Sequence, residues 1–325
     1  MTSEGLLFTA LRGTLATHRL RAVFANALQI RRVIVVGYGN KQTGTAQYTG
    51  VGSFFFGLGA DEKVDLFDIK LEADGYMDPD VEYIRELNPA SAGNLNCYAY
   101  VNEAFLHDAI GPTLTPTQLA MVGWWKCPTN GDSIWDLVYD GDDSLKLQKG
   151  EKMIDPRIAF LGQFGGSVNL KFVCAGQVIC ATTQIESKNA QYLFIHNYTP
   201  SNVKLTDLEV ETDNGGYMDP DVEYFRELNP ASAGNLNCYA YVNEAFLHDA
   251  IGPTLTPAQL AMVGWWKCPT NGDSIWDLVY DGDTENMITE DTDITLTPGF
   301  ALLGQFGGSY NNKIKFPDPT KPAVK

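Results

Sequence analysis

The stretch WWKCPTNGDSIWDLVYDGD occupies residues 124–142 and returns unchanged at residues 265–283. The match extends in both directions, because residues 75–142 and 216–283 differ at only two of 68 positions, Ile84 against Phe225 and Thr117 against Ala258. A period of 141 residues exceeds the roughly 20–50 residues of solenoid repeats and falls at the usual domain size of about 100–150. The sequence therefore predicts two tandem copies of one fold.

Composition and charge narrow the class of protein. Of the 325 residues 44% are hydrophobic, and no low-complexity run occurs, which predicts folded domains. The net charge is −17, yet residues 1–60 carry +5, so the remainder carries −22. Such acidic repeats are poor partners for nucleic acid. No apolar run reaches the ~18 residues of a spanning helix, so we predict no transmembrane segment.

The N-terminal stretch LLFTALRGTLATHRLRAVFANALQIRRVIVV is rich in Arg and Ala. Its longest pure apolar run near the basic residues, VIVV at 33–36, is shorter than the ~7–15 residues of a secretory signal core. We interpret residues 1–30 as a basic arm that docks on an acidic body, a neighbouring subunit or an acidic partner. The alternative is an ordinary first helix packed on the first repeat.

Strand patterns outnumber helix patterns in each unit. VDLFDIKLE at 64–72 alternates, slips at residues 67–68 and resumes, which predicts a strand with a bulge. Residues 95–102 also alternate, and Gly, Pro, Asn and Asp clusters separate the segments. A short helix is predicted in TPTQLAMV, with Thr115 as its cap. Further strand candidates are SVNLKFVCAGQVICATTQ, QYLFIHNYT, SIWDLVYD and TPGFALLGQFGG.

These patterns predict a mainly β protein of two tandem antiparallel β-sandwich domains, jelly-roll or immunoglobulin-like in style and related by internal duplication. We expect an N-terminal basic arm or helix at 1–30, the first repeat at 31–168, the second at 169–312 and a C-terminal tail at 313–325. A β-sandwich serves many unrelated functions, so the fold constrains function weakly.

The six cysteines are candidates for disulfides. Cys97 and Cys127 return as Cys238 and Cys268, which would allow one bridge in each repeat. Cys174 and Cys180 could close a hairpin. None has the spacing of a metal site. The alternative is reduced thiols in the cores, where free cysteine is common.

Acidic residues in Gly-containing loops make calcium the one candidate cofactor. The fragment NGDSIWD lacks an acid at the first ligand position, and Asp136 comes too early for the closing bidentate ligand. Solvated turn acids are the alternative. The candidate ligands are Asp132, Asp136 and Asp140 with their repeats Asp273, Asp277 and Asp281.

Motifs for catalysis are missing from the sequence. GxSxG, HExxH and a glycine-rich phosphate loop do not occur, and only one of the four histidines, His107, is repeated, as His248. We predict a protein without enzymatic activity and name no catalytic residue.

Aromatic residues are the candidates for a contact surface. Trp and Tyr are enriched at subunit interfaces, and an outward ring beside Asn and Asp suits a sugar. Since neighbouring residues of a strand face opposite ways, one ring of each WW pair would turn away from whatever buries the other. The alternative is that the rings fill cores or the seam between repeats. The candidates are Trp124, Trp125, Trp135, Tyr98, Tyr100 and Tyr139 with Trp265, Trp266, Trp276, Tyr239, Tyr241 and Tyr280.

Two functions fit these features. The first is a non-enzymatic structural subunit of a large assembly, such as a virion or phage coat, decoration or fibre component, or a surface filament, which self-associates in a virion or at an extracellular surface. Two like domains per chain would let a trimer form a pseudo-hexagonal ring. The second is a bivalent carbohydrate-binding adhesin or lectin, in which two linked weak sites gain ~10²–10⁴ in avidity.

Overall fold

The computed structural model describes residues 21–23, 34–42, 48–52, 63–88, 90, 94–157, 159–164, 169–178, 183–187, 192–199, 201–229, 231 and 234–318. Over these residues the protein is mainly β, with several antiparallel sheets, none of them closed. The interpretation of residues 1–30 as an arm or helix falls largely outside them. Within that stretch Arg21–Val23 forms a strand rather than part of a helix.

The first half of the chain contributes eleven strands and three helices to the described residues. The strands are β1 (Arg21–Val23), β2 (Ile34–Gln42), β3 (Tyr48–Val51), β4 (Val64–Asp65), β5 (Lys70–Ala73), β6 (Glu82–Leu87), β7 (Asn94–Val101), β8 (Gly123–Lys126), β9 (Met153–Ile154), β10 (Phe160–Phe164) and β11 (Leu170–Val178). The helices are α1 (Glu103–Ile110), α2 (Pro116–Leu119) and α3 (Ile134–Asp140). They form a five-stranded sheet β3-β10-β6-β7-β8, a four-stranded sheet β1-β2-β11-β5 and the pair β4-β9.

The same order of pairing recurs in the second half. Its strands are β12 (Thr183–Glu186), β13 (Tyr192–His196), β14 (Val203–Lys204), β15 (Glu209–Thr212), β16 (Glu223–Leu228), β17 (Asn235–Val242), β18 (Gly264–Lys267), β19 (Thr295–Leu296), β20 (Ala301–Phe306) and β21 (Asn312–Phe316). Its helices are α4 (Glu244–Ala250), α5 (Pro257–Leu260) and α6 (Ile275–Asp281). The sheets are β13-β20-β16-β17-β18, β12-β21-β15 and β14-β19.

Each five-stranded sheet has buried apolar clusters on both of its faces. In the second half one buried cluster, which includes Trp265, lies between this sheet and strands β15 and β21. A separate cluster, which includes Trp266, Phe246 and Val279, lies between the sheet and the helices. In the first half the Trp124 ring stacks on Phe172 of β11 at a centroid distance of 6.2 Å. Apolar side chains are therefore buried on the helix side as well as on the side of β15 and β21.

The segment SIWDLVYD is helix α3, so the strand predicted there is wrong. Ser133 and Asp136 form a capping box, in which the Ser133 hydroxyl accepts from Asp136 N and the Asp136 carboxylate accepts from Ser133 N. Ile134 and Val138, one helical turn apart, are both buried. Gly141 then ends the helix in the left-handed region, at φ 74°. The apolar residues fit a helical face better than a strand face.

The slip in VDLFDIKLE is a 3-10 turn, so the predicted bulge is wrong. Leu66–Asp68 forms the turn, and the Asp65 carboxylate accepts from Phe67 N at 3.1 Å. The turn separates β4 from β5, which pair with different strands, β9 and β11. The helix predicted in TPTQLAMV is present as α2, with Thr115 as its cap and Gln118 completing a capping box.

The expected boundaries of the repeats stay a prediction. Strand β11 begins two residues after the expected limit at 168 and pairs with β2 and β5, which precede it. Strand β21 extends to Phe316, into the expected tail, and pairs with β12 and β15. Hydrogen bonding therefore favours a boundary between β11 and β12 and a tail that begins after Phe316.

The two halves of the chain meet at β3 and β13. Gly50 of β3 lies so close to Ala301 of β20 that a Cβ at Gly50 would overlap the Ala301 Cβ. Ala159, next to β10, donates its backbone N–H to the carbonyl oxygen of Phe194 in β13 at 3.4 Å. The two five-stranded sheets are thus in direct backbone contact.

The contact of Gly50 with Ala301 and the contact of Phe194 with Ala159 join equivalent positions, with the two halves exchanged. Gly50 pairs with Leu161 and Phe194 pairs with Leu303, so Gly50 and Phe194 hold one position in the two sheets. Gly52 and His196 also hold one position, and they face each other, because a Cβ at Gly52 would lie 2.6 Å from His196 Nε2. Contact between equivalent residues is what an approximate twofold axis produces.

Candidate functional site

One part of each five-stranded sheet is covered neither by the second sheet nor by the helices. In the first half it consists of six half-buried residues on β6, β7 and β10 and at the end of β8, and we call this set the open face. Its centre is set by strand register, since Arg85 lies opposite both Cys97 and Leu161. Its members are Tyr83, Arg85, Cys97, Cys127, Leu161 and Gln163, with Tyr224, Arg226, Cys238, Cys268, Leu303 and Gln305 in the second half.

Hydrogen bonds and ring contacts fix the arginine of each open face. Arg85 Nη2 donates to Gln163 Oε1 at 2.8 Å and also contacts the Tyr83 hydroxyl. The guanidinium lies over the Tyr83 ring, 4.6 Å from its centroid, which is a cation–π distance. Arg226 makes the same contacts in the second half, with a 2.6 Å bond to Gln305. The guanidinium is therefore held in place by residues of its own sheet.

The two cysteines of each open face are thiols in contact with one another. Cys127 donates its backbone N–H to the Cys97 carbonyl oxygen at 2.9 Å, and both side chains are free thiols. The neighbouring Cys127 thiol lowers the pKa of Cys97 to about 7, and the charge of Arg85 adds to the effect. The neighbouring Cys97 and burial raise the pKa of Cys127. Cys238 and Cys268 behave alike.

Of the three predicted disulfides, the structure describes the side chains of two. Cys97 with Cys127 and Cys238 with Cys268 are brought together as predicted, but as free thiols. The proposed Cys174–Cys180 pair lies outside the described side chains. The arrangement in each open face combines a polarised nucleophile, a proton donor and a fixed cation.

The tryptophan pairs are core residues and do not form a surface. Trp124, Trp125, Trp265 and Trp266 are each at most 2% exposed. Neighbouring rings do face opposite ways, but the helices cover the second face. The indole N–H groups are satisfied internally, for example by bonds from Trp124 to Ile69 O at 2.7 Å and from Trp125 to Met121 O at 3.0 Å. Their assignment to an interface or glycan site is therefore wrong.

Most of the other predicted aromatics are only partly accessible. Tyr98 and Tyr239 are buried, while Tyr100 and Tyr241 are half-buried and pack edge-on against Trp124 and Trp265.

Trp135 is half-buried between Tyr76 and Phe105, and its Nε1 donates to Asp78 Oδ1 at 3.3 Å. Trp276 makes the equivalent contacts. Among the described rings, Tyr139 and Tyr280 are the most exposed, at 74% and 73%.

The predicted calcium ligands serve as caps and turn acids. Asp136 and Asp277 complete the capping boxes of α3 and α6, and the Asp132 carboxylate accepts from Asn130 Nδ2 at 2.6 Å. Asp140, Asp273 and Asp281 are exposed. Throughout the described part of the chain, no group of three His, Cys, Asp or Glu side chains could hold a metal ion.

A cavity of about 240 Å³ lies at the junction of the halves. Leu95 and Phe160 line it from the first half and Leu193 and Phe194 from the second, and the Lys152–Glu86 ion pair, at 2.6 Å, also lines it. In the second half Ile294 takes the place of Lys152, since each accepts the same backbone hydrogen bond. The ion pair is therefore not repeated, whereas the open face is.

Sequence reasoning missed Arg85, Tyr83 and Gln163. A signal was available, because Gln163 lies in LGQFGGS, which is kept at residues 303–309 although it falls outside the near-identical block. The residues of EYIREL also alternate, which places Tyr83 and Arg85 on one side of β6.

The described helices are all too short or too polar to cross a membrane. The chain has no significant match among protein-family models, curated proteins or solved structures.

Proposed function

We propose that this protein is a non-enzymatic structural subunit of a large assembly, a virion or phage coat, decoration or fibre component or a surface filament, built from two duplicated β-sandwich domains. The observation that carries the proposal is the repeated open face: six half-buried residues of the same types, at equivalent positions of both sheets. Two like contact surfaces let one chain bind two neighbours, which is the minimum that a growing assembly requires.

The chemistry of the open face suits protein contact. Tyr and Arg are enriched where interfaces concentrate their binding energy, and leucine adds apolar area. Arg85 is already held by Gln163 and Tyr83, so less side-chain entropy is lost when a partner binds. Because both open faces have the same composition, each could bind the same surface on another chain.

The relation between the halves favours a filament over a ring. A pseudo-hexagonal trimer needs the two repeats to differ by a rotation of about 60°, whereas the paired contacts of Gly50 with Ala301 and of Phe194 with Ala159 fit a twofold relation. If each open face binds its counterpart on the next chain, the subunits add in a line. We therefore propose a fibre-like arrangement.

Light scattering after gel filtration, with electron microscopy of the same fractions, tests the proposal. Wild-type protein should form concentration-dependent linear oligomers. Leu161→Glu with Leu303→Glu should leave monomers, because a charge would have to be buried at each contact. The matched control is Leu119→Glu with Leu260→Glu, which changes leucines that are 40% and 41% exposed on α2 and α5. The control should assemble normally.

Two results would contradict the proposal. One is a wild-type protein that stays monomeric over the whole concentration range. The other is equal assembly of the open-face variant and the control, with near-UV circular dichroism showing that both are folded.

The alternative of a bivalent lectin draws less support from the site. It needs an outward ring, and the tryptophans chosen for that role are buried or fixed between other rings. Tyr139 and Tyr280 are the exposed rings that a glycan could reach. Binding to a glycan array that is lost in Tyr139→Ala with Tyr280→Ala would favour the lectin.

A further inference from the structure

The cysteines of each open face have the backbone spacing of a disulfide. Cys97 and Cys127 lie directly opposite each other, and Cys127 N donates to Cys97 O at 2.9 Å. In such a hydrogen-bonded antiparallel pair the Cα atoms are ~5.5 Å apart. Disulfides span Cα distances of ~4.4–6.8 Å, with a mode near 5.5–6 Å. The two sulfurs could therefore join with little movement of the strands, and the same holds for Cys238 and Cys268.

The two thiols of a pair are not equivalent. Arg85 lies opposite Cys97 in the β6–β7 ladder, and the neighbouring Cys127 thiol together with the charge of Arg85 lowers the pKa of Cys97 to about 7. Cys127 keeps its proton, because the neighbouring Cys97 and burial raise its pKa. Thiolates are the nucleophiles in thiol chemistry, so Cys97 is the reactive member. Both side chains are half-buried rather than enclosed, which leaves a path for a small reagent.

Arg85 supplies a donor beside the reactive sulfur. It is the residue opposite Cys97 in the β6–β7 ladder. Its Nε–H is buried and, like that of Arg226, has no hydrogen-bond partner in the described part of the chain. A buried unpaired donor is costly, and a thiolate at Cys97 is an acceptor on the same face. The same arrangement occurs in the second half with Arg226, Cys238 and Cys268.

We propose that each open face is a redox-active dithiol site that exchanges with a low-molecular-weight disulfide such as oxidised glutathione, with Cys97 and Cys238 as nucleophiles and Cys127 and Cys268 as resolving thiols. This site is additional to assembly, and its thiols are open to a reagent on chains whose open faces are not covered by a neighbour.

The exchange proceeds in two balanced steps. Cys97 first releases its proton to water. Its thiolate attacks one sulfur of the oxidised glutathione, a Cys97–glutathione bond forms, and one glutathione thiolate leaves. Cys127 then loses its proton to that thiolate and attacks the Cys97 sulfur, which releases the second glutathione as a thiolate that takes a proton from water. The protein dithiol has lost two electrons and two protons, and one oxidised glutathione has become two reduced molecules.

Peptide mass spectrometry tests the proposal on the full chain. Reduced protein carrying Cys174→Ser and Cys180→Ser is treated with oxidised glutathione, the remaining thiols are blocked with iodoacetamide, and trypsin is added. Residues 86–126 and 127–146 should be recovered as one disulfide-linked product, as should 227–267 and 268–313. The peptides of the two halves differ in mass, for example at Thr117 and Ala258, so each site is scored separately.

Single substitutions separate the two roles. Cys127→Ser should stop the first site at a glutathione adduct on Cys97, while the unchanged second site forms its disulfide and serves as an internal control. Cys97→Ser should leave Cys127 without an adduct at pH 7. If both cysteines collect glutathione equally, or if the linked peptides do not form in folded protein, the proposal is wrong.

The pH dependence of alkylation gives an independent measurement. At pH 7 about half of a thiol with a pKa of about 7 is thiolate, against a few per cent of an ordinary thiol. Cys97 should therefore react with iodoacetamide at least roughly tenfold faster than Cys127. Arg85→Gln should lower the rate of Cys97 alkylation several-fold at pH 7. Lys126→Gln removes an equal charge at an exposed side chain and should leave that rate unchanged. Equal rates at the two cysteines would overturn the assignment of roles.

Discussion

At the scale of single residues, the neighbouring tryptophans Trp124 and Trp125 are buried on opposite faces of one sheet. Trp124 and Trp125 face opposite ways, as neighbours in a strand must, and both are at most 1% exposed. The sequence predicts the opposite directions but not the helices that cover the second face. Burial on that side depends on Phe105, which lies some twenty residues earlier in the chain. Burial of a strand face by a helix from another part of the chain cannot be read from the sequence around the strand.

We expect Trp125→Ala to lower the free energy of unfolding by ~3–5 kcal/mol, because a fully buried indole is removed and its cavity remains. Tyr139→Ala, at a ring that is 74% exposed, should change it by less than ~0.5 kcal/mol. Urea unfolding followed by circular dichroism measures both. A small loss at Trp125 would mean that the helical layer is not packed as described.

The ionised side chain of Asp80 is expected to lower the free energy of unfolding at neutral pH. Partial burial and the carboxylates of Asp78 and Asp136 raise its pKa, and Asp221 in the second half is raised in the same way. A carboxyl group with a higher pKa in the folded protein takes up protons on folding. The ionised carboxylate therefore destabilises the folded protein at pH values above its pKa in the folded state. This destabilisation disappears as the pH falls through the folded-state pKa and then through the lower unfolded-state pKa.

Asp80→Asn with Asp221→Asn should accordingly raise the thermal midpoint at pH 7 and have little effect near pH 3. The control is Asp143→Asn, an exposed aspartate outside this group. The electrostatic explanation would be contradicted if the double variant had the wild-type thermal midpoint at pH 7. It would also be contradicted if the rise in thermal midpoint over wild type were as large at pH 3 as at pH 7.

At the scale of elements, two short helices illustrate what the sequence can and cannot predict. Helix α2 is predictable, because Thr115, Pro116 and Gln118 together form a start signal that a strand would not need. Helix α3 has an equivalent signal in Ser133 and Asp136, but its apolar residues also fit a short strand. For seven residues the two periods are hard to separate, and packing against α1 favours the helix.

Ser133→Ala should destabilise the first half by ~1 kcal/mol, because the N–H of Asp136 loses its acceptor at the start of α3. Ser133→Thr keeps a hydroxyl at the cap and should recover most of that loss. Urea unfolding of the two variants beside wild type measures the difference. If Ser133→Thr is as destabilised as Ser133→Ala, the effect does not come from capping.

At the scale of the whole molecule, the sequence predicts two similar halves, but not how they are joined. Residue spacing carries no information on orientation, and the contacting residues lie outside the near-identical block, where Gly50 is matched by Phe194 and Gly52 by His196. The open face was also missed for this reason. Its members come from four strand segments up to 80 residues apart and meet only when the sheet forms.

Gly50→Ala should destabilise the junction by ~1–3 kcal/mol, because the added methyl group overlaps the Cβ of Ala301. Ala301→Gly removes that methyl group, so the double variant should recover more stability than the sum of the single effects predicts. A double-mutant cycle from urea unfolding gives the coupling energy. Additive effects would mean that the two residues do not touch.

The residues at the junction also determine which halves can pair with each other. At two positions a glycine of the first half stands where the second half has a larger residue: Gly52 faces the imidazole of His196, and Gly50 occupies the position that Phe194 holds in the second half. Two copies of the second half would bring imidazole against imidazole, and two copies of the first would leave a void. If the halves were made as separate polypeptides, they should form a heterodimer in preference to either homodimer.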